Sequence, residues 1–263
     1  MHITITGNLG SGKSTICNIL NEKYDFEIYS TGKVQRQLAQ EMGMPTLELN
    51  QLMRKETKYD HMIDDATARI SRENQDKDIV FDSRLAWHFV EKSFKVFVSV
   101  SLEEAARRVM GDDRGETEKY DSFEEAVKLL AKRAATENVR YKEIYNLHYM
   151  DFSNYDLIID STYSSPELIA EIILKEAKKH QKAPFNKTKT LVSGKRLSLE
   201  ETFEEEDSEE IKLLADKYKN DPYNIEDIVK VKKSDDKYIV VYGHKYVKAS
   251  MLADIAYIPI ELV

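Results

Sequence analysis

The sequence predicts an α/β protein: a parallel sheet between two helical layers, followed by a second, smaller α/β unit. Three observations carry this. Short β-branched runs alternate with stretches of helical spacing over residues 1–180. A glycine-rich turn joins the first such run to the first helix. After His180 the pattern lapses into polar sequence and then resumes with short strands and a helix.

Taken in order, residues 2–6 read as a buried strand and 13–23 as a helix. FEIYS at 26–30 is a second strand, leading into a helix with Val34, Leu38 and Met42 on one face. Helical spacing persists through 46–74. DIVFD (78–82) and FKVFVSV (94–100) are strands, separated by a helix through Trp87 and Val90, and LEEAARRVM starts the next helix. The charged stretch 111–121 reads as a mobile surface loop, and a long helix runs from Phe123 to Tyr145. YDLIIDST (155–162) is a strand, and Pro166 opens a helix ending near Lys179. Residues 181–209 read as a connecting stretch, a linker or an extended wrap, polar and without periodicity, to 198 and an acidic segment from 199. A helix (211–218), two strands (228–232, 238–242), a helix (246–254) and a closing strand (258–263) complete the chain. The expected domains are 1–180 and 210–263.

Composition narrows the function. The 263 residues are 41% apolar and 33% charged, with few glycines and prolines, which excludes a fibrous or broadly disordered chain. A formal charge of −8 argues against a protein built to grip a long nucleic-acid backbone, while the C-terminal module's partners stay open. The single cysteine, Cys17, has no disulfide partner and is expected to pack inside the first helix. No run approaches a membrane span, so a soluble cytoplasmic protein is expected.

Gly7-Asn8-Leu9-Gly10-Ser11-Gly12-Lys13-Ser14 matches G-x-x-x-x-G-K-[ST] between a strand and a helix. Glycines at 7, 10 and 12 let consecutive N–H groups, Ser11 among them, face a phosphate at a helix N-terminus. Lys13 is placed to bridge β- and γ-phosphate oxygens, Ser14 to offer its hydroxyl to Mg²⁺, and Thr15 to share phosphate contacts. The expected fold is therefore that of a P-loop NTPase, with ATP and Mg²⁺ as donor.

Arginines suggest the acceptor. Thr31 and Gly32 follow a strand, with Arg36 one turn into the next helix, where it can fork onto a phosphate. Asp82 ends another strand, facing the ligand crevice, with Arg84 two residues on. Asp82 can hold a magnesium-bound water or orient Arg84. Arg107 and Arg108 precede the loop bearing Arg114, and the long helix carries Arg133 and Arg140. Such a set can clamp two groups of phosphates and neutralise the transferring one.

ITITGNLGSGKST, STGKVQRQLA, IVFDSRLAWHF, the RR…DDR region, RAATENVRYKEIYNLHYMD and NYDLIIDST stand in an order that resembles the cytidylate kinase-like family, in its short archaeal-type branch. The resemblance covers residues 1–178. It implies a nucleoside monophosphate kinase acting on CMP or dCMP. Donor binding would fall to Lys13, Ser14 and Thr15, and the acceptor site to Thr31, Arg36, Asp82 and Arg84. Arg107, Arg114, Arg133 and Arg140 would come from the lid and its following helix. Ser83 stands where the family commonly has glycine, and Trp87 and His88 replace small residues.

In the C-terminal unit, DKYIVVYGHKYVKASMLADIAYIPIELV stands in an order that resembles the ParB/sulfiredoxin-like fold, the resemblance covering about 210–263, with Gly243, His244, Lys245, Lys248 and Ala249 matching its phosphate-binding element loosely. Tyr246 takes the place of a basic residue. A packing appendage and a second phosphate site formed by Gly243, His244, Lys245 and Lys248 are both open readings. So are a kinase for another small acceptor and a nucleotide-sensing regulator acting through this module.

Overall fold

A computed structural model describes residues 1–44, 49, 52, 56–111, 120–199, 208–234 and 236–263. Residues 112–119 of the loop expected at 111–121, Arg114 included, and most of the acidic segment lie outside the described residues. Within them the elements are β1 (His2–Gly7), α1 (Lys13–Tyr24), β2 (Glu27–Ser30), α2 (Thr31–Glu41), α3 (Lys58–Glu73), β3 (Ile79–Asp82), α4 (Ala86–Phe89), β4 (Phe94–Ser99), α5 (Leu102–Gly111), α6 (Phe123–Tyr145), β5 (Leu157–Asp160) and α7 (Pro166–Lys182). There follow β6 (Lys189–Val192), β7 (Leu197–Ser198), α8 (Ser208–Asn220), β8 (Val229–Ser234), β9 (Lys237–Tyr242), α9 (His244–Leu252) and β10 (Ile258–Leu262).

One sheet runs through the chain in the order β2-β3-β1-β4-β5-β6-β10-β8-β9-β7. Its first six strands are parallel. β1 is wholly buried and carries Ile3 and Ile5 into the core formed with α1 and α7. β3, β4 and β5 are largely apolar and buried, as strands covered on both faces must be. Ser122 and Ser165 cap the helices that follow them, each accepting from the N–H three residues on, and Pro166 starts α7 where a missing N–H costs nothing. None of the described helices is long and apolar enough to cross a membrane.

The stretch 181–198, expected as a linker or an extended wrap, contains β6 and β7, which corrects the linker reading. β6 pairs in parallel with β5 and antiparallel with β10, so the C-terminal strands extend the first sheet. Successive strand residues face opposite ways, and here Leu191 enters the first core while Val192 enters the second. That second core is built from β8, β9, β10, α8 and α9, with Tyr218, Val231 and Val247 fully or almost fully buried. Cys17 is buried in the first core, as a packing residue would be.

Polar ties reinforce the junction. Glu176, only 3% exposed, meets Lys179 at 3.0 Å and Lys189 of β6 at 2.9 Å. The Tyr257 hydroxyl donates to the Asp160 carbonyl at 2.8 Å, inside the protein. Tyr257→Phe removes that bond and should lower stability by about 1 kcal/mol. Urea unfolding should show the loss as a lower midpoint with an unchanged slope; an unmoved midpoint would show that the bond contributes nothing.

Candidate active site

The site begins where β1 gives way to the P-loop. Gly10 (φ 74°) and Gly12 (φ 81°) occupy left-handed conformations that L side chains rarely adopt. A Cβ on Gly10 would lie 2.9 Å from the Ala105 backbone, so α5 can approach this closely only because Gly10 has no side chain. The buried Ser11 hydroxyl donates to the Asn8 carbonyl and holds the loop's curl.

Two cations meet at the end of β1. Lys13 Nζ donates to the carbonyls of Gly7 (3.1 Å) and Asn8 (2.9 Å). Arg84 Nη1 donates to the same Gly7 carbonyl at 2.8 Å. Burial, then the Arg84 charge, pushes Lys13 down to about 7. Arg84 is steadied by Glu137 of α6, whose Oε2 accepts from its Nε at 3.0 Å. Arg133, one turn earlier, pairs with the other oxygen of Glu137 at 3.3 Å. Ser14 Oγ donates to Asp82 Oδ2 at 3.1 Å. A hydroxyl and a carboxylate paired beside the phosphate loop form the oxygen donor set that suits Mg²⁺. The surrounding cleft, about 630 Å³, opens between Gly12, Lys13, Thr15, Arg84 and Arg108.

The structure brings Gly7, Gly10, Ser11, Gly12, Lys13, Ser14, Thr15, Asp82 and Arg84 together, with Arg133 behind them through Glu137. Thr31 and Gly32 open α2 beyond the Ser30 cap, and Arg36 is exposed, its guanidinium beside Gly32. Arg140 forks onto Asp60 of α3 at 3.1 and 3.2 Å. Arg107 points outward, pairing with Glu103 and Glu104 over the Phe123 ring. Its neighbour Arg108 turns into the cleft instead, donating to the Gly10 carbonyl (3.3 Å) and the Ser161 carbonyl (2.6 Å). Trp87 is buried packing, whereas His88 is exposed. In the C-terminal unit, Gly243 is left-handed and precedes α9. Lys245 is held by Glu210 at 2.6 Å, His244 Nε2 is buried without a hydrogen bond, and Lys248 lies one turn into the helix.

Sequence reasoning missed Glu137 and undervalued Arg108. The i, i+4 spacing of Arg133 and Glu137 could have flagged the first.

A sequence model described as the cytidylate kinase-like family matches residues 2–163. A cytidylate kinase of Methanosarcina mazei is 36% identical over 166 residues, which span 61% of this chain and 87% of that protein. A cytidylate kinase of Methanococcoides burtonii is 33% identical over 175 residues, 66% of this chain and 95% of that protein. Among solved structures, a shikimate kinase from Bacteroides thetaiotaomicron overlays 69% of this chain and 98% of its own, with a TM-score of 0.47 at 11% identity. With the P-loop cleft described above, the match over residues 2–163 shows that the chain belongs to the cytidylate kinase-like family, nucleoside monophosphate kinases that use ATP with Mg²⁺.

Proposed function

We propose that the protein transfers the γ-phosphoryl group of Mg·ATP to CMP or dCMP. One observation carries the reading: Lys13 from the donor loop and Arg84 from the end of β3 converge on the Gly7 carbonyl, with Ser14 and Asp82 alongside. Neither cation needs that carbonyl once phosphate oxygens are present. Lys13 can then turn to the donor's β- and γ-oxygens and Arg84 to the acceptor's phosphate, so positive charge flanks the transferring group from both sides. Ser14 and Asp82 would hold the metal ion, which supplies further neutralisation of that charge. Glu137 keeps Arg84 from swinging away, and Arg108 steadies the P-loop and the loop after β5. Thr31, Gly32 and Arg36 would receive the acceptor at the start of α2, and Arg107, Arg114 and Arg140 would belong to the lid and its helix. The identity of the acceptor rests on the named relatives.

For the C-terminal segment 210–263 we retain the ParB/sulfiredoxin-like reading as a proposal. What supports it is the left-handed Gly243 between β9 and α9, the position at which such an element would present N–H groups to a phosphate.

A coupled ADP-release assay across nucleoside monophosphates should show turnover highest with CMP or dCMP; no acceptor-dependent turnover would sink the kinase reading. Lys13→Ala should reduce kcat by about 10²–10³ with an unchanged circular dichroism spectrum. Glu137→Gln should lower kcat/KM for CMP by about ten- to a hundredfold, while Arg84→Ala in the Glu137→Gln background adds less than it does alone, since both act on one guanidinium.

The depressed Lys13 also gives a signed pH effect. With a pKa of about 7 it is mostly neutral at pH 8, and phosphate oxygens in place of carbonyls raise that pKa. Binding of a non-hydrolysable ATP analogue at pH 8 should therefore take up a proton. Calorimetry in two buffers of different ionisation enthalpy reads the uptake; it should vanish in Lys13→Met, and equal enthalpies in both buffers for the wild type would refute it.

A further inference from the structure

The C-terminal unit reaches the kinase part at the start of α5. Asp236, in the turn between β8 and β9, lies 134 residues from Leu102 in sequence, yet its Oδ2 accepts the Leu102 N–H at 2.8 Å. Its other oxygen accepts from Arg196 Nη2 at 3.4 Å, which aims the carboxylate. Both Asp236 and Arg196 lie past the stretch that matches the family. Leu102 is the first residue of α5, and its N–H is one of the donors that the helix itself cannot pair. A carboxylate there also meets the positive end of the helix dipole. The neighbouring N–H, of Ser101, donates to the Thr162 hydroxyl at 2.9 Å. The entry to α5 is thus held both by the loop after β5 and by the C-terminal unit.

The apolar grip on α5 is slight. Its buried side chains are Ala105, Ala106 and Val109, which remove little apolar surface from water. The helix nevertheless supports the P-loop. Ala105 abuts Gly10, and Arg108, less than two turns past Leu102, donates to the Gly10 carbonyl and to the hydroxyl and carbonyl of Ser161. Glu104, in the first turn, holds Arg108 Nε at 3.0 Å and so depends on the same seat. A hydrogen-bonded helix moves as a unit. Any shift of its first turn therefore reaches Ala105 and Arg108, and through them the loop that cradles the donor phosphates.

We propose that Asp236 is a positioning residue for the donor site: by capping α5 from the C-terminal unit, it keeps Ala105 and Arg108 seated on the P-loop and raises the affinity for Mg·ATP. Without the cap, α5 is seated in only a fraction of molecules, and the apparent affinity falls by that fraction. The acceptor side is spared, because Arg84 takes its position from the Gly7 carbonyl and Glu137 of α6 rather than from α5. The inference rests on the P-loop as the donor site and is independent of which monophosphate accepts.

The full chain is titrated by calorimetry with a non-hydrolysable ATP analogue and Mg²⁺. Asp236→Ala should weaken binding by about fivefold or more, the scale of a lost helix cap. Asp236→Asn, which keeps an oxygen for the Leu102 N–H, should stay within about twofold of wild type. Tyr218→Phe removes a hydrogen bond to Asp227 elsewhere in the C-terminal unit and should leave binding unchanged. In steady-state turnover, Asp236→Ala should raise KM for ATP while KM for the accepted monophosphate holds, a split that a general loss of stability does not produce. Should Asp236→Ala fail to fold, Asp236→Ser, whose hydroxyl stops a bond short of the carboxylate oxygens, is read in its place. Wild-type binding by Asp236→Ala, equal weakening by Asp236→Asn or Tyr218→Phe, or a rise in both KM values would each overturn the proposal. Failure of the acceptor reading would show separately, as intact analogue binding by the wild type without CMP turnover.

Discussion

The Gly7 carbonyl, shared by Lys13 and Arg84, is the contact on which the rest of the cleft depends. Two cations do not meet on one acceptor without being forced there, and the force is strand register. β1 and β3 run in parallel with Ile5 opposite Asp82. Thr6 then donates its hydroxyl to the Ser83 and Arg84 carbonyls, tying the turn after β3 to the end of β1. From that turn Arg84 projects across the P-loop to the Gly7 carbonyl and to Glu137. Burial first, and then the like charge of Arg84, hold the Lys13 ammonium down to about 7, and a polyanion in the cleft relieves both.

The helices serve this arrangement rather than define it. α6 runs from Phe123 to Tyr145 and places Glu137 where it can hold Arg84 from one side and Arg133 from the other. Arg84 and Glu137 are each about one-fifth exposed, so the pair keeps more of its Coulomb attraction than a solvated pair would. α5 meets the loop through the gap left by Gly10, and one turn past Ala105 Arg108 reaches the Gly10 carbonyl.

The sequence made the P-loop and the strand ends legible because both are local: glycine spacing sets the curl, and a buried run ending in Asp82 sets the crevice. Helix rotation was not local. Arg107 and Arg108 differ by 100° around α5, and only the seating of Ala105 and Val109 against neighbours decides which one faces the loop. β6 was illegible for a related reason. Its apolar content is Leu191 and Val192 in a lysine- and threonine-rich stretch, and each of the two serves a different core. Neither core leaves enough of a pattern in four residues to mark a strand.

The same strand explains why the C-terminal unit is more than an attachment. β5 is buried at every position, and its last residue, Asp160, is 1% exposed. A carboxylate so placed needs a counter-charge, and Arg196 supplies it from beyond the region that the family shares. Glu176 on α7, equally enclosed, is partnered by Lys189 of β6. Two acids at the end of the kinase part thus draw cations from the residues that follow. Removing those residues would expose the β5 edge and leave Asp160 without Arg196 and Glu176 without Lys189. The extension completes both the sheet and the charge balance of the kinase part, and the carboxyl ends of β4 and β5 are shaped by it as much as by their own sequence.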